Sequence, residues 1–321
     1  MNLSEKFIRK VPLLLGSLLL ANPVFAESTF PEDIYVTLKK SGELAQLPKI
    51  GKWKGSPVML YNSLTPDGKR MIVSSPKTGY VYIYDTNSHA ELAKVKVQKA
   101  PKGVKISPDG NEAYVANEAS ASISVVDLSN YREVAVIPVK KLPHNVRFSN
   151  DGSLAYITLQ GGAGIGVINT QTRRLTKVIA TPGIPNPHNL DISKDGTKVF
   201  IRDLTKSVGV LDLLTEKIIK VLPVGKGHAG IDVSPDGKTV YTGAIGDNVL
   251  TAIDTKTLTV SATINVGNGP HGVRASKDNK WIYVATTKAN QLVVIDAKKM
   301  AVSQRYPLAD FPFWVSVKGN P

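Results

Sequence analysis

Hydrophobic and polar positions alternate with a period of two through most of the chain. The stretch "GVKISPDGNEAYVANEASASISVVDLSNYREVAVIPV" (103–139) shows the pattern in full. Apolar residues alternate with polar ones in four short runs, at Val104/Ile106, Tyr114/Ala116, Ile123/Val125 and Val134/Val136. Such alternation predicts four β-strands, and Asp109-Gly110 supplies a tight turn between the first two. No segment after the first 26 residues has a convincing helical period.

This unit of four strands recurs along the sequence. Its most regular marker is a turn of the form S-x-D-G, written T-P-D-G at 65–68 and S-K-D-N at 276–279, whose aspartates are Asp67, Asp109, Asp151, Asp195, Asp236 and Asp278. The spacings between them are 42, 42, 44, 41 and 42 residues. A second polar marker follows each one by 17 or 18 residues, at Asp85, Asp127, Asn169, Asp212, Asp254 and Asp296. A period of about 40–45 residues is typical of propeller blades.

We therefore predict an all-β protein, a β-propeller of four-stranded antiparallel blades. Six units lie near 55–100, 101–142, 143–186, 187–227, 228–269 and 270–311. The C-terminus (312–321) resembles a first strand, and 30–50 resembles the last two strands of a unit. Joining them gives a composite, three- or four-stranded seventh blade that closes the ring. Six blades with loose ends is the alternative.

The N-terminal 26 residues have the features of a secretory signal. Lys6, Arg9 and Lys10 precede a ten-residue apolar run (11–20), and Val24-Phe25-Ala26 fits the cleavage rule. The run is too short to span a bilayer, and no later stretch is longer. We expect cleavage after Ala26, leaving one periplasmic or secreted propeller domain, 27–321, without a transmembrane segment.

Composition narrows the chemistry and the partners. The chain has no cysteine, which excludes disulfides, thiolate ligands and covalent c-type haem. Its formal charge is +14, and without residues 1–26 it is 37 − 25 = +12. This charge favours an acidic partner. Nucleic acid ranks last because no aromatic residues are interleaved with the basic ones, and we expect a monomer.

Several short motifs resemble a known family. "YVAN" (114–117), "YVAT" (283–286) and "INVGNGPHGV" (264–273) are similar to the YVTN-type β-propeller repeats of bacterial exported proteins, in the YncE-like branch. The resemblance extends more distantly to the propellers that carry haem d1. It implies the fold, whereas the scaffold hosts unrelated activities. A haem d1 site is implied only weakly, because d1 propellers have eight blades.

Four of the five histidines occupy one position of the repeat. Seven residues before the turn aspartates stand Lys102, His144, His188, Ala229 and His271, and His228 precedes Ala229. This position enters the innermost strand of each blade, at the mouth of a propeller's channel. Either the histidines converge there as a functional site, or blade duplication copied them as capping residues. Phe313 holds the position in the composite blade, with Trp314 beside it.

The candidate ligand-binding residues include loop residues near the same end. They are His144, His188, His228, His271, Asp203, Arg202, Glu118 and Lys102, and the candidate metal ligands among them are His144, His188 and His271. Imidazoles presented from several strands suit Zn, Cu or Fe, and less readily the axial position of a haem. No catalytic residue can be assigned from the sequence.

Two classes of function remain open at this point. The first is an exported binding module whose histidine-lined channel mouth holds a metal ion, a small ligand or a periplasmic partner protein. The second is a metal- or histidine-dependent enzyme similar to propeller lactonases and lyases, or a d1-haem-type cofactor-binding protein. An enzyme would need a base such as His188 or His271 beside Glu118 or Asp203.

Overall fold

The computed structural model describes residues 32–49, 51–162 and 164–320. The predicted signal peptide lies outside these residues. Within them no helix is long and apolar enough to cross a lipid bilayer. Twenty-eight strands make up the described part of the chain, with two short 3₁₀ turns at Glu118–Ser120 and Gln160–Gly162.

The strands form seven four-stranded antiparallel sheets, so the predicted seven-bladed propeller is confirmed. Blade 1 holds β4 (Asn62–Leu64), β5 (Arg70–Ser75), β6 (Tyr80–Asp85) and β7 (Glu91–Lys96). Blade 2 holds β8 (Pro101–Ile106), β9 (Glu112–Asn117), β10 (Ser122–Asp127) and β11 (Arg132–Pro138). Blade 3 holds β12 (Pro143–Phe148), β13 (Leu154–Leu159), β14 (Gly164–Asn169) and β15 (Arg174–Ala180).

The other complete blades repeat this order. Blade 4 holds β16 (Pro187–Ile192), β17 (Lys198–Asp203), β18 (Ser207–Asp212) and β19 (Lys217–Pro223). Blade 5 holds β20 (Ile231–Val233), β21 (Thr239–Ala244), β22 (Val249–Asp254) and β23 (Thr259–Asn265). Blade 6 holds β24 (Pro270–Ala275), β25 (Trp281–Thr286), β26 (Gln291–Asp296) and β27 (Ala301–Pro307).

The seventh blade joins the two ends of the chain. Its strands are β28 (Pro312–Val317), β1 (Ile34–Leu38), β2 (Glu43–Leu47) and β3 (Gly51–Lys54), in that order. The blade has four strands rather than three, because 51–54 adds an outer strand beyond the 30–50 segment expected from the sequence. β28 pairs with β1 through Val36 and Val315, among others. The closure leaves β1 paired on both sides, with β28 on its inner edge and β2 on its outer edge.

The repeated turns show why the S-x-D-G marker is so regular. In blade 2, Ser107 Oγ donates to Asp109 Oδ1 at 2.5 Å, and the same oxygen accepts from Asn111 N at 3.1 Å. Gly110 takes φ +77°, a conformation that L side chains rarely adopt. Blade 6 has Asn279 there at φ +61°, consistent with the tolerance of asparagine for this region. The repeated aspartates therefore stabilise turns.

Hydrophobic packing lies between neighbouring blades. One cluster joins Val81 and Ile83 of blade 1 to Val104 and Ile106 of blade 2. The next joins the second face of blade 2 to blade 3 in the same manner. Each blade therefore buries both faces, while the innermost strands β28, β4, β8, β12, β16, β20 and β24 contact one another in sequence around the axis. Side chains at equivalent positions of these strands come together.

Candidate functional site

The four histidines predicted at one position of the repeat lie next to one another, and we call them the histidine cluster (His144, His188, His228 and His271). The ring centroids of His144 and His188 are 4.0 Å apart, those of His188 and His228 4.5 Å, and those of His228 and His271 5.3 Å. His144, His188 and His271 are the second residues of β12, β16 and β24. His228 precedes β20, and all but His228 are at least 94% buried.

Aromatic side chains from the closing blades complete the circle. Phe313 of β28 stacks on His271, with centroids 4.0 Å apart. Tyr61, just before β4, contacts Phe313 at 5.5 Å and donates a hydrogen bond from its hydroxyl to His144 Nε2 at 2.8 Å. Trp314 packs against Tyr61 at 4.5 Å. The sequence indicated Phe313 and Trp314, but it did not single out Tyr61.

His144 is held from both sides. Its Nδ1 lies 3.1 Å from Glu118 Oε1, and Lys102 Nζ lies 3.3 Å from Glu118 Oε2. Because a carboxylate only accepts, Nδ1–H donates to Glu118 and Nε2 accepts from Tyr61. Three of the predicted residues, Lys102, Glu118 and His144, thus form one hydrogen-bonded series. The Nε2 lone pair of His144 is engaged by Tyr61 rather than free.

The other three histidines have the geometry of a metal-binding group. One ring nitrogen from each of His188, His228 and His271 lies within 4.8 Å of the other two. His271 Nδ1–H donates to the Phe313 carbonyl at 3.1 Å, so its Nε2 carries a lone pair. His188 Nδ1 accepts from Gln160 Nε2 at 2.6 Å. Within the described residues the buried Nε2 atoms of His188 and His271 have no hydrogen-bond partner.

Burial keeps the histidine cluster neutral. It lowers the pKa of His144, although the Glu118 carboxylate opposes this effect. Burial and then the neighbouring histidines hold the pKa of His188 and of His271 well below the usual range. The pKa of His228 falls to about 4 for the same reasons, burial first. Neutral imidazole is the form that binds metal ions.

Glu118 is ionised. Burial alone would raise its pKa, but the hydrogen bond from His144 Nδ1–H and the ammonium of Lys102 lower it below the ordinary value. A second lysine, Lys39, reaches the same end of the channel, with Nζ 5.2 Å from the Phe313 ring centroid. Burial and then Lys102 lower the pKa of Lys39. Two lysines, Lys39 and Lys102, and one carboxylate, Glu118, thus form a rim of net positive charge beside the histidine cluster.

Arg202 and Asp203 serve the fold of the neighbouring loops. The guanidinium of Arg202 is fully buried and donates to the backbone carbonyls of Gly243, Asp203, Ser207, Gly225 and Gly227. These five bonds match its five N–H donors, leaving none for an anion. Asp203 accepts from Asn186 N and Thr205 N, each at 3.1 Å. Both residues therefore hold neighbouring loops through hydrogen bonds, and their ligand-binding role stays a prediction.

His89 lies apart from the cluster. Its ring stacks on Trp53, with centroids 4.0 Å apart, and its Nε2–H donates to Gln46 Oε1 at 2.6 Å. Trp53 belongs to β3, the outer strand that the sequence pattern did not predict. Because the sequence pattern did not predict β3, it also gave no indication of the contact between Trp53 and His89.

Two family models match parts of the chain. Residues 192–312 match the Cytochrome D1 heme domain, and residues 54–207 match the Lactonase, 7-bladed beta-propeller family. Each match covers less than half of the chain. His228 and His271 lie in the first match, and His144 and His188 in the second. The predicted relation to haem d1-type propellers is confirmed, and the YncE-like branch stays a prediction.

Solved structures with similar folds span most of the chain. Hydrazine synthase of Kuenenia stuttgartiensis is 21% identical with a TM-score of 0.70, covering 80% of this chain and 88% of that chain. Dihydro-heme d1 dehydrogenase NirN in complex with DHE is 17% identical with a TM-score of 0.69, covering 90% and 75%. A functionally unknown protein from Desulfotomaculum acetoxidans DSM 771 is 14% identical with a TM-score of 0.77, covering 89% and 99%. These likenesses show the fold alone. No curated protein matches the chain.

Proposed function

We propose that this protein is an exported, periplasmic binding propeller that holds a transition-metal ion through His188, His228 and His271, at a histidine-lined channel mouth. The observation that carries the proposal is the approach of three ring nitrogens to within 4.8 Å, two of the rings having buried Nε2 atoms without a hydrogen-bond partner in the described residues. A small ligand or partner protein would complete the coordination of the ion.

The donor set suits a borderline metal ion. Three neutral imidazoles favour Zn²⁺, Cu²⁺ or Fe²⁺ over Mg²⁺ or Ca²⁺, which prefer oxygen ligands. Zn–N bonds of about 2.0–2.1 Å place tetrahedral ligand nitrogens roughly 3.3 Å apart, so the rings must move inward by on the order of 1 Å. His271 already donates Nδ1–H to a carbonyl, the usual support for a ligating histidine.

His188 needs one adjustment before it can ligate. With Gln160 donating to Nδ1, the neutral ring carries its proton on Nε2. Rotation of the Gln160 amide by half a turn presents Oε1 instead, which accepts from Nδ1–H and frees the Nε2 lone pair. Gln160 is thus the residue that would select the tautomer of His188 for metal binding.

A bare ion fits this cluster better than a tetrapyrrole between the rings. Neighbouring rings are 4.0–5.3 Å apart at their centroids, which leaves no gap for a macrocycle among them. A haem-type ligand would instead have to lie above the cluster, against the cationic rim of Lys39 and Lys102. The name of one structural neighbour, dihydro-heme d1 dehydrogenase NirN, and the match to the Cytochrome D1 heme domain are the reasons for testing this alternative as well.

An enzyme is the second candidate, and the Glu118–His144–Tyr61 series favours it. The carboxylate fixes the tautomer of His144 so that Nε2 carries the lone pair, which accepts from the Tyr61 hydroxyl and would act as a base through that hydroxyl. A bound ion would supply Lewis acidity and lower the pKa of a water ligand. The lactonase family match points to lactones as the first substrates to test.

Metal content tests the main proposal. The exported protein, isolated from the periplasm with its N-terminus checked by mass spectrometry, should contain about one transition-metal ion per chain by elemental analysis. The H188Q/H228Q/H271Q variant should contain none. The matched control is His89→Asn, a histidine distant from the cluster in a left-handed conformation that asparagine tolerates. An absorption spectrum detects any tetrapyrrole.

Unfolding measurements distinguish a folded variant that has lost metal binding from a variant that is misfolded. Metal at 100 times its Kd should stabilise metal-depleted wild-type protein by about 2.7 kcal/mol. The same metal should not shift the unfolding midpoint of the triple variant. Equal metal contents in the triple variant and His89→Asn would contradict the proposal. So would a wild type that neither contains metal nor binds added Zn²⁺, Cu²⁺ or Fe²⁺.

The enzyme candidate makes a separate prediction. If His144 is a base, metal-loaded protein should hydrolyse small lactones, and His144→Gln should lower kcat at least a hundredfold while keeping the metal, because general-base catalysis contributes roughly that much. Glu118→Gln should shift the pH–rate profile through the altered tautomer support. Absence of turnover across a lactone panel by the loaded wild type would leave the binding protein alone.

A further inference from the structure

A second polar cluster lies further along the same innermost strands. We call Lys105, Arg147, Asp191, Asp232 and Arg274 the charged ring. Each stands four residues before a turn aspartate, a position held by Ser63 and Ser316 in the remaining blades. Arg147, Asp191 and Arg274 come three residues after His144, His188 and His271, which places them roughly 10 Å further along the strands at ~3.3 Å per residue.

Hydrogen bonds satisfy the two carboxylates of the charged ring. Asp191 Oδ1 accepts from Arg147 Nε at 3.1 Å, and Oδ2 accepts from Val233 N at 2.7 Å. Asp232 Oδ1 accepts from Arg274 Nη1, and Oδ2 accepts from Ala275 N at 2.7 Å. Both oxygens of each carboxylate therefore have a donor from the protein.

The two guanidinium groups keep unused donors. Arg147 is 5% exposed and Arg274 is 3% exposed. Arg147 Nη1 donates to Asn145 Oδ1 and to the Val146 carbonyl, but within the described residues Arg147 Nη2 has no acceptor. The Nε of Arg274 has none there either. An unpartnered donor on a buried charged group is costly, so this cluster lacks acceptors.

These side chains border a cavity of about 190 Å³, whose lining includes all five residues of the charged ring and Asn320. One buried water needs only on the order of 10–15 Å³, so the cavity admits a larger guest. Lys194 also lines the cavity, so four basic side chains face two carboxylates. Burial, followed by the charges of Arg147 and Arg274, lowers the pKa of Lys105, and an added anion would oppose that effect.

We propose that the charged ring binds a small oxyanion, with Arg147 Nη2 and Arg274 Nε donating to its oxygens and Lys105 balancing its charge. The chemical class is that of inorganic phosphate, sulfate or a small carboxylate, because the nitrogens without an acceptor belong to two different guanidinium groups rather than to one complete fork. The site is separate from the histidine cluster, and its occupancy does not depend on the metal.

Calorimetric titration of the full-length exported protein tests the proposal. The protein is freed of metal on a chelating resin, since a soluble chelator is itself a polycarboxylate, and is kept in a chloride buffer of constant ionic strength. Phosphate, sulfate and acetate are titrated separately and then in competition. We expect at least one of these anions to bind at a single saturable site. Any two anions that bind should compete for it.

Charge-matched variants distinguish the site from general attraction to a basic surface. R147M/D191N and R274M/D232N each remove an ion pair whole and should weaken the binding at least tenfold. R173M/E112Q removes an ion pair outside the charged ring and should leave it unchanged. Arg147→Lys keeps the charge but removes Nη2, and it provides a second test if a double variant fails to fold.

Two results would overturn the proposal. One is a folded wild type that binds none of the three anions saturably, which would mean that solvent satisfies the guanidinium donors. The other is binding that the R147M/D191N, R274M/D232N and Arg147→Lys variants retain at wild-type strength, which would place the anion elsewhere on the surface.

Discussion

Three of the four clustered histidines have different hydrogen-bond partners at Nδ1. His144 has an ionised carboxylate, His271 a backbone carbonyl and His188 a side-chain amide. These partners decide which nitrogen carries the proton, and hence which ring can ligate a metal ion. Under the proposed function, His144 would be the base and the other three histidines would be the metal ligands.

The lowered pKa values predict acid sensitivity of the metal-free protein. A histidine whose pKa is lower in the folded state stabilises the fold fully above the unfolded pKa, about 6.5, and progressively less below it. For His228 the loss extends to about pH 4. Each such histidine should cost about 1.4 kcal/mol per pH unit within its window. Urea unfolding of metal-free protein between pH 7.5 and 4.5 measures this effect.

The control for this prediction is a variant with all four clustered histidines changed to glutamine. Its stability should vary less steeply over the same pH range, because the buried groups that resist protonation are gone. The turn aspartates lose their contribution at lower pH, since their pKa values are also lowered, that of Asp195 to about 2. Identical slopes in the two proteins would contradict the assignment.

Among the structural elements, the S-x-D-G turn has the simplest stability prediction. Asp109 Oδ1 accepts from Ser107 Oγ and from Asn111 N, so Asp109→Ala should lower the free energy of unfolding by about 1 kcal/mol. Asp109→Asn keeps an acceptor oxygen and should cost less. Chemical denaturation of both variants checks the order, and an alanine variant as stable as the asparagine variant would refute it.

The sequence predicts elements well where a repeat is reinforced by turn chemistry. The period of two and the αL turns at Gly110 and its equivalents identify the inner strands of six blades. The outer strand β3 escaped because 51–54 carries neither marker. Its partner contact, Trp53 on His89, joins segments whose proximity only the closed ring determines.

The sequence pointed to the histidine cluster but not to the charged ring. Histidine is rare in this chain, so its recurrence at one position was informative, and His144, His188, His228 and His271 do come together. Arg147 and Asp191 instead occupy the polar phase of an alternating strand, a pattern usually read as a solvent-facing side. In a propeller the polar side chains of the innermost strand lie near the central axis, so Arg147 and Asp191 are enclosed by the neighbouring blades.

At the scale of the whole molecule, the propeller holds two layers of polar side chains at different heights along its axis. The histidine cluster lies where the innermost strands begin, and the charged ring lies roughly 10 Å further on, from three residues at ~3.3 Å each. Between the two layers, Asn145 accepts from Arg147 Nη1 and donates to Asn189 Oδ1 at 2.5 Å. Both layers require a closed ring, because each draws residues from several blades.

Closure of the ring can be tested by a covalent link between β1 and β28. Val36 and Val315 are directly paired, and paired antiparallel Cα atoms lie about 4.5–5.5 Å apart, within the range that a disulfide bridges. In the V36C/V315C variant the chain has no other cysteine to mispair. Because the bond closes a loop of nearly the whole domain, the oxidised form should gain up to about 4–5 kcal/mol of unfolding free energy over the reduced form.

Reduced V36C/V315C is the internal control for the loss of two buried valines. Thiol counting before and after denaturation, with unfolding midpoints of both forms, gives the measurement. A folded variant whose thiols stay free under oxidant, or whose oxidised form is no more stable, would contradict closure through this strand pair.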